Sequence, residues 1–198
     1  MDDIVKQAMA KWPEVPHCYG WLALDARGAW RMRDERAQHL GLAGDKLSQP
    51  ALVGFINRNY ANDARGCWYF QNGPQRVYVN LEATPFIARS DPAHTLVLHT
   101  GAPMETVERA WMTEHGALLV EGGGKLAQVD DRDLAHLMGA LERDGATVGD
   151  EELMAWLEGG PGTMRLRYRG QAVPVERIAA AAVEAQFGFV RAPQPGEA

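Results

Sequence analysis

The sequence predicts an α+β fold of two similar units, each a hairpin, a helix and a second hairpin, with mainly antiparallel sheets and helices packed on them. The prediction rests on a repeated order of elements, which runs through residues 21–82 and again through residues 111–178. In both stretches a residue that can cap a helix, Ser48 or Asp130, stands four positions before a leucine. Because one such block buries only one face of its sheet, the repeat favours two half-domains. The expected organisation is an N-terminal unit at residues 1–103, a C-terminal unit at 104–191 and a disordered tail at 192–198.

The composition is that of a globular protein. Of its 198 residues 46% are hydrophobic and 23% are charged, which is enough to build a core. A net charge of -6 opposes general attraction to phosphate backbones, so non-specific nucleic-acid binding is not expected. The chain has no run of about 18 apolar residues and no signal peptide at its start, and its two cysteines lack paired spacing. We therefore expect a cytoplasmic protein that does not bind membranes.

The first unit is predicted to begin with a helix whose apolar stripe runs from Ile4 to Met9. Two short strands follow, WLALD and AWRMR. A loop is expected from Arg36 to Lys46, and Ser48 then caps a helix that begins near Pro50.

The clearest hairpin of the chain is centred on Asn72-Gly73, a dipeptide that accepts the positive φ angles of a tight turn. Its arms are predicted at residues 67–71 and 75–81. In the second arm valines alternate with polar and aromatic residues, as in a half-buried strand. Further strands are expected at 85–88 and 95–99, separated by a turn at Ser90-Asp91-Pro92.

In the second unit Asp130 is the expected cap of a helix whose stripe reaches Leu141. An additional helix is predicted from Asp150 to Leu157, before Gly159-Gly160-Pro161. The hairpin TMRLRYRGQAVPVERI follows, and residues 179–185 favour a last helix on propensity.

The order Asp25-x-x-Gly28-x-Trp30, a Leu-Val-x-Phe-Ile helix and the segment from Val79 to Ala88 resembles a family of small proteobacterial proteins, domain-of-unknown-function family twelve-eighty-five. The resemblance covers residues 20–100 and extends to the second half by pattern. It implies a duplicated α+β core, a second half similar to pleckstrin-homology folds, and a ligand or nucleotide site near the domain interface. It implies no known enzyme.

Three arginines, Arg165, Arg167 and Arg169, alternate along a predicted strand whose other face carries Met164, Leu166 and Tyr168. Guanidinium groups in this arrangement can clamp a phosphate or carboxylate. The alternative is a solvated sheet face paired with acids such as Glu176.

The hairpin at residues 67–81 concentrates aromatic rings and one cation, a composition suited to a planar ligand. Tyr69, Arg76 and Tyr78 are its candidate binding residues. The alternative is that the rings are ordinary core. Since Trp68 and Phe70 point opposite to Tyr69, only one set is available as a platform.

His17 and Cys18 place an imidazole next to a thiol, the minimum for nucleophilic chemistry. Neighbours in an extended chain point to opposite sides, which disfavours this pair. The six histidines lack the helical spacing at which two imidazoles share a metal, and His94 and His99 are five residues apart. We expect no metal, no cofactor and no catalytic residue.

The leading hypothesis is a non-catalytic binding or regulatory module, of the signalling kind, that holds a small anionic or planar ligand such as a nucleotide between its two units. One alternative is a thiol-dependent enzyme using Cys18, and another is an interaction scaffold or homodimer. The candidate ligand-binding residues are Arg165, Arg167, Tyr69, Arg76, Tyr78, Trp30 and His17.

Overall fold

A computed structural model describes residues 1–91 and 95–196. The chain divides into two compact units, Met1–Pro85 with Gly188–Ala198 and Phe86–Phe187. The predicted turn at Pro92, His94 and the last two residues of the predicted tail lie outside the described residues.

The first unit is built around a six-stranded sheet with the order β3-β2-β1-β6-β5-β4. Strands β1 and β6 are parallel, and the other neighbours are antiparallel. The strands are β1 Cys18–Leu24, β2 Trp30–Met32, β3 Asp45–Lys46, β4 Tyr60–Asn62, β5 Trp68–Asn72 and β6 Gln75–Leu81. The helices are α1 Asp3–Lys11, α2 Glu35–His39 and α3 Pro50–Arg58.

The second unit contains a ten-stranded sheet. Its strands are β7 Phe86–Ser90, β8 Leu96–Leu98, β9 Pro103–Met104, β10 Arg109–Thr113, β11 Leu118–Gly122, β12 Lys125–Val129, β13 Leu141–Arg143, β14 Ala146–Thr147, β15 Met164–Tyr168 and β16 Gln171–Ile178. Its helices are α4 Leu134–Met138, α5 Asp150–Leu157 and α6 Val183–Phe187, the last preceded by a 3-10 turn at Ala180–Ala182. The strand order is β14-β13-β15-β16-β10-β11-β12-β7-β8-β9, and β10 with β16 and β12 with β7 are the parallel pairs.

The α+β class is confirmed, and both sheets are mixed rather than purely antiparallel. The units share one pairing pattern, since β1 and β10 each pair antiparallel with the next strand and parallel with a later one. The duplication itself stays a prediction. The segment at residues 86–103, which the sequence placed with the N-terminal unit, pairs into the sheet of the second unit, because β7 bonds with β12.

In each unit, large apolar side chains, most of them from the sheet, form the core. The strands alternate as expected where one face meets the core, and β15 shows this most clearly, with Met164, Leu166 and Tyr168 buried and the intervening arginines exposed. The largest fully buried side chains are Leu24, Trp30, Ile56 and Tyr78 in the first unit and Ile87, Leu96, Trp111, Met112, Leu118, Leu119, Leu141 and Met164 in the second.

Two helix predictions in the first unit differ from the structure. Ser48 does not cap α3, because the N-cap is Gln49 and Pro50 occupies the first turn. The expected loop after Arg36 contains most of α2, whose cap is Asp34, and the short strand β3. The Asp34 carboxylate accepts the backbone N–H of Ala37 at 2.7 Å, a cap that the sequence reading overlooked.

Other helices are shorter or rotated relative to their predictions. The stripe of α1 is narrower than expected, because Val5 is buried whereas Ile4 is 72% exposed. Helix α4 ends at Met138, and Leu141 begins strand β13 instead of closing a helical stripe. The run at residues 179–185 forms the 3-10 turn and only the start of α6.

The end of the chain completes the first unit. Val190 forms a parallel bridge with Cys67, and its N–H bonds the carbonyl of Gly66 at 3.1 Å. The N–H of Leu81 bonds the carbonyl of Arg191 at 2.8 Å. Residues after Phe187 are therefore tied to the first unit by backbone hydrogen bonds as far as Arg191, in the segment just before the predicted tail.

Candidate functional site

Three tyrosines form a ring cluster on one face of the sheet in the first unit. Tyr19 of β1 and Tyr78 of β6 are stacked, with ring centroids 4.6 Å apart and an interplanar angle of 5°. Tyr69 of β5 meets Tyr78 edge-on at 5.8 Å. These rings and the side chains in contact with them form the surface that we call the tyrosine face, whose other members are His17, Asp63, Arg65 and Arg76.

Strand register brings the three rings together. Tyr69 and Tyr78 are directly opposite each other in the antiparallel pair of β5 and β6. On the other side of β6, Cys18 is aligned with Val77 in the parallel pair, so the following residues, Tyr19 and Tyr78, are adjacent. Side chains at cross-strand positions interact in this way in sheets generally.

Both arginines of the tyrosine face lie over aromatic rings. The guanidinium carbon of Arg76 is 4.6 Å from the ring centroid of Tyr69, and that of Arg65 is 5.5 Å from the ring centroid of Tyr78. These distances are within the range of cation–π attraction. The guanidinium groups of Arg65 and Arg76 therefore place two positive charges above adjacent rings of β5 and β6.

Asp63 fixes this arrangement from the turn before β5. Its carboxylate accepts hydrogen bonds from the hydroxyl of Tyr78 at 2.9 Å, from Nε of Arg65 at 3.2 Å and from the N–H of Cys67 at 3.0 Å. Burial disfavours the charged carboxylate, but these hydrogen bonds outweigh it and lower the pKa of Asp63 below its ordinary value. The charged carboxylate orients both Tyr78 and Arg65.

His17 extends the cluster towards solvent. Its ring meets Tyr78 edge-on, with centroids 5.7 Å apart, and the residue is exposed. Partial burial, and then the positive charges of Arg76 and Arg65, lower the pKa of His17 below its ordinary value. At neutral pH the imidazole is uncharged, and its two nitrogens provide one donor and one acceptor.

The thiols of the first unit are not arranged for nucleophilic chemistry. Burial, and then the charge of Asp63, raise the pKa of the Cys67 thiol, which keeps it protonated. Cys18 lines an apolar cavity with Trp21 and Leu22, whereas its neighbour His17 contacts Tyr78.

The structure brings together four of the predicted site residues, His17, Tyr69, Arg76 and Tyr78, on the tyrosine face. Trp30 is elsewhere, only 2% exposed, with its indole N–H donating to the Asn57 side chain at 2.7 Å. It is a core residue.

Arg165 and Arg167 lie on the exposed side of β15 in the second unit. Arg167 pairs with Glu142 at 3.1 Å, and Arg165 donates a hydrogen bond to the carbonyl of Ala172 at 3.4 Å. Arg169 lies outside the strand, in a turn with φ 46°, and pairs with Glu105. The expected acid, Glu176, is not among these partners.

Three residues of the tyrosine face escaped the sequence reading: Tyr19, Asp63 and Arg65. The signal for Asp63 was the turn sequence Asn-Asp-Ala-Arg-Gly, since aspartate side chains commonly bond backbone N–H groups two residues later. The Asp63 carboxylate does accept the N–H of Arg65, at 2.9 Å.

Within the described ranges, neither the pattern of a metal-ligand cluster nor that of a membrane-crossing helix is found. Among residues 1–91 and 95–196, no three histidine, cysteine or acidic side chains are grouped as metal ligands would be. In the same residues no helix has the length and apolar character that crossing a bilayer requires.

The fold and this face describe an α+β protein of two mixed-sheet units with an aromatic and cationic surface on the first. The chain belongs to the family described as "Protein of unknown function (DUF2946)", whose model matches residues 1–194. None of the curated proteins compared with the chain matches it.

Two solved structures are similar in fold. A DUF1285 family protein from Silicibacter pomeroyi DSS-3 has a TM-score of 0.50 and 16% identity, and the match covers 81% of this chain and 82% of that one. A DUF1285 family protein from Shewanella baltica OS155 has a TM-score of 0.40 and 12% identity, covering 59% of this chain and 88% of that one. The likeness to the Silicibacter pomeroyi protein confirms the resemblance predicted from the motif order, as one of fold, and the matching family is likewise one of unknown function.

Proposed function

We propose that the tyrosine face of the first unit binds a small planar anion, of which a nucleotide is the leading class, and that the protein is a non-catalytic binding module. The observation that carries this proposal is the position of Arg65 and Arg76 over the tyrosine rings. A flat ring system and a phosphate or carboxylate in one molecule match rings and guanidinium groups that lie side by side.

The charge balance of the face supports an anionic ligand. The chain carries a net charge of -6, yet Arg65 and Arg76 outnumber the single carboxylate of Asp63 on this face. Arg76 makes no ion pair with any residue in the described ranges, so its guanidinium group has capacity for a ligand. The Arg65 side chain is 44% exposed and has five N–H donors, of which one bonds Asp63 and another reaches the carbonyl of Gln194 at 3.4 Å.

The rings divide into supporting and accessible ones. Tyr78 and Tyr69 are only 2% and 6% exposed, so they hold the arginines in place rather than stack on a ligand. Tyr19 is half-buried and His17 exposed, and these two rings offer surface to the planar part of a ligand.

Thermal-shift and calorimetric titration of the whole protein with purine and pyrimidine nucleotides tests this proposal. We expect saturable stabilisation by nucleotides, and little from nucleosides, which lack the anion, or from inorganic phosphate, which lacks the ring. Arg76→Ala and Tyr19→Ala should weaken binding by about tenfold or more, because a charge-assisted hydrogen bond or a stacked ring contributes on the order of 1–3 kcal/mol.

The matched controls are Arg165→Ala and Arg167→Ala, which remove exposed arginines of the second unit and should leave the affinity unchanged. The proposal would be refuted if none of the purine or pyrimidine nucleotides stabilised the protein. Equal loss of affinity in the control variants would place the site in the second unit instead.

No observation favours the thiol enzyme, since the pKa of Cys67 is raised and Cys18 faces apolar side chains. A regulatory or signalling role, cytoplasmic location and a homodimer stay predictions.

We also infer that the two units descend from one ancestral block. Strands β1 and β10 each stand at the start of a repeated stretch, and both pair antiparallel with the next strand and parallel with a later one, which supports this inference. An experimental structure in which residues 21–87 and 107–190 fail to superimpose would contradict it.

A further inference from the structure

The first unit contains an apolar cavity of about 280 Å³ that nothing in the proposed function uses. It opens on the sheet face opposite the tyrosine face, since successive residues of a strand point to opposite sides. Cys18, Phe70 and Val77 line the cavity, whereas the residues next to them in the chain are the three tyrosines. The complete lining is Cys18, Trp21, Leu22, Met32, Leu47, Leu52, Ile56, Phe70, Asn72 and Val77.

Helix α3 forms one wall of the cavity. Leu52 and Ile56 line it, and Phe55 of the same helix packs edge-on against Phe70 at 5.4 Å between ring centroids. On the sheet side, β1 has a register shift between Cys18 and Leu22, where Gly20 has a φ of 82°. Strict alternation would send Trp21 and Leu22 to different faces, but with this shift both side chains reach the cavity.

The lining is chemically selective. It contains no charged side chain, and its polar side-chain groups are the Cys18 thiol, the Asn72 amide and the indole N–H of Trp21. A charged group placed inside would lose its hydration without gaining a partner, so an occupant must be apolar where it is enclosed.

The depth of the cavity indicates that its occupant is a small molecule rather than the surface of another protein. Ile56 and Leu22 line it although they are only 2% and 3% exposed, so the cavity reaches the core of the unit. At the mouth, Trp21 and Met32 are 41% and 42% exposed, unusually high for large apolar side chains beside a cavity. A slender apolar chain can enter past these two residues and cover them.

We propose that this cavity binds an alkyl chain of about eight to ten carbons, with any polar head group left outside. A cavity of about 150 Å³ holds one benzene molecule, and this cavity has nearly twice that volume. Six of the lining side chains are aliphatic or thioether groups, which pack well against methylene groups. The proposal is independent of the tyrosine face.

A homologous series of 1-alkanols from hexanol to dodecanol tests the proposal on the full-length protein. Each additional pair of methylene groups should lower the dissociation constant of the alkanol about tenfold, because each buried methylene contributes about 0.8 kcal/mol. The gain should stop near decanol, when the cavity is full. Continued tightening to dodecanol and beyond, as in partition into any apolar surface, would overturn the proposal.

Alkylation of Cys18 shows whether the alkyl chain of decanol lies in this cavity, because Cys18 is one of the lining residues. Decanol should slow alkylation of Cys18 by iodoacetamide in proportion to occupancy, measured by mass spectrometry, while Cys67 stays unreactive because it is 4% exposed. Unchanged alkylation of Cys18 at saturating decanol would overturn the proposal.

A cavity-filling variant separates this cavity from the rest of the surface. Leu52→Phe places a larger side chain in the wall and should weaken decanol binding at least tenfold, with a melting temperature that shows the fold is retained. Val77→Phe narrows the cavity from the sheet side and provides a second variant if the first fails to fold.

Leu40→Phe is the matched control, since Leu40 is 55% exposed and outside the lining. It should leave the decanol affinity unchanged, and so should Arg76→Ala. Retained affinity in both folded cavity variants would overturn the proposal.

Discussion

Single residues of this protein are given their roles by partners distant in the chain. Tyr78 is a strand residue for which the sequence left two possibilities open, a binding platform or ordinary core, and in the structure it is only 2% exposed. The ring of Tyr19 covers one side of the Tyr78 ring. The Asp63 carboxylate accepts a hydrogen bond from the Tyr78 hydroxyl. Burial, the largest effect, raises the pKa of Tyr78 and keeps this hydroxyl a donor at neutral pH.

His99 shows the same dependence in the second unit. The backbone N–H of His99 donates a hydrogen bond to the carbonyl of Ile87 at 2.7 Å, and the ring nitrogen Nδ1 accepts one from the backbone N–H of Ile87 at 3.2 Å. Burial, and then the charge of Arg89, lower its pKa to about 3. The folded protein therefore keeps this imidazole neutral well below the pH at which a free histidine becomes charged.

We predict that His99 makes the protein less stable in mild acid. Above pH 6.5 the ring is neutral in both states, so it adds no pH dependence. Between pH 6.5 and 3 only the unfolded chain binds the proton, so the free energy of unfolding falls by up to about 1.4 kcal/mol per pH unit as pH decreases. Urea unfolding at pH 7.5, 6.5 and 5.5 measures this slope.

His99→Asn retains an acceptor for the Ile87 N–H and should show a flatter slope than the unmodified protein across that pH range. The control is His115→Asn, because the His115 side chain is 77% exposed. Identical slopes for the unmodified protein and His99→Asn would contradict the assignment.

Among the elements, the end of the chain matters most for the first unit. Gly66 has a φ of 76°, and a Cβ there would lie 2.1 Å from the carbonyl oxygen of Gly188, so the two backbones approach too closely for any side chain. The bridge from Val190 to Cys67 adjoins this contact. Sequence patterns showed no strand after residue 187.

Removal of residues 188–198 should therefore destabilise the first unit by several kcal/mol, since it removes two backbone hydrogen bonds and the cover of Cys67. The measurement is the rate at which the Cys67 thiol reacts with Ellman's reagent, which should rise by at least tenfold. Truncation after Pro193 leaves Val190 and Arg191 in place and should keep the rate close to that of the full chain. Equal rates for both truncations would show that the bridge has no stabilising role.

At the scale of the whole molecule, the two units differ in how the chain builds them. Phe86–Phe187 is continuous, whereas Met1–Pro85 needs Gly188–Ala198 to complete it. The sequence predicted the boundary at residue 103, in the segment Gly101-Ala102-Pro103 that follows the strands expected at 85–88 and 95–99. Only pairing of β7 with β12, about 40 residues later, assigns them to the second unit.

This difference predicts that residues 86–187 fold when expressed alone. The fragment contains every strand of the ten-stranded sheet, so it should unfold cooperatively in urea and give a dispersed amide NMR spectrum. A fragment of residues 104–191, the C-terminal unit predicted from the sequence, lacks β7, β8 and the first residue of β9 and should be markedly less stable. Equal stability of the two fragments would favour the boundary at residue 103.

Local chemistry by itself determined the α+β class, the turn at Gly73 between β5 and β6, the alternating faces of β15 and the helix at Asp150–Leu157. Each of these depends on residues within a few positions of one another. The tertiary structure alone decided the parallel pairing of β1 with β6, the return of the chain end to Cys67, and the meeting of Arg65 and Tyr19 at Tyr78. These contacts join residues that are distant in the chain, and no spacing or propensity in one sequence encodes which distant strand becomes a neighbour.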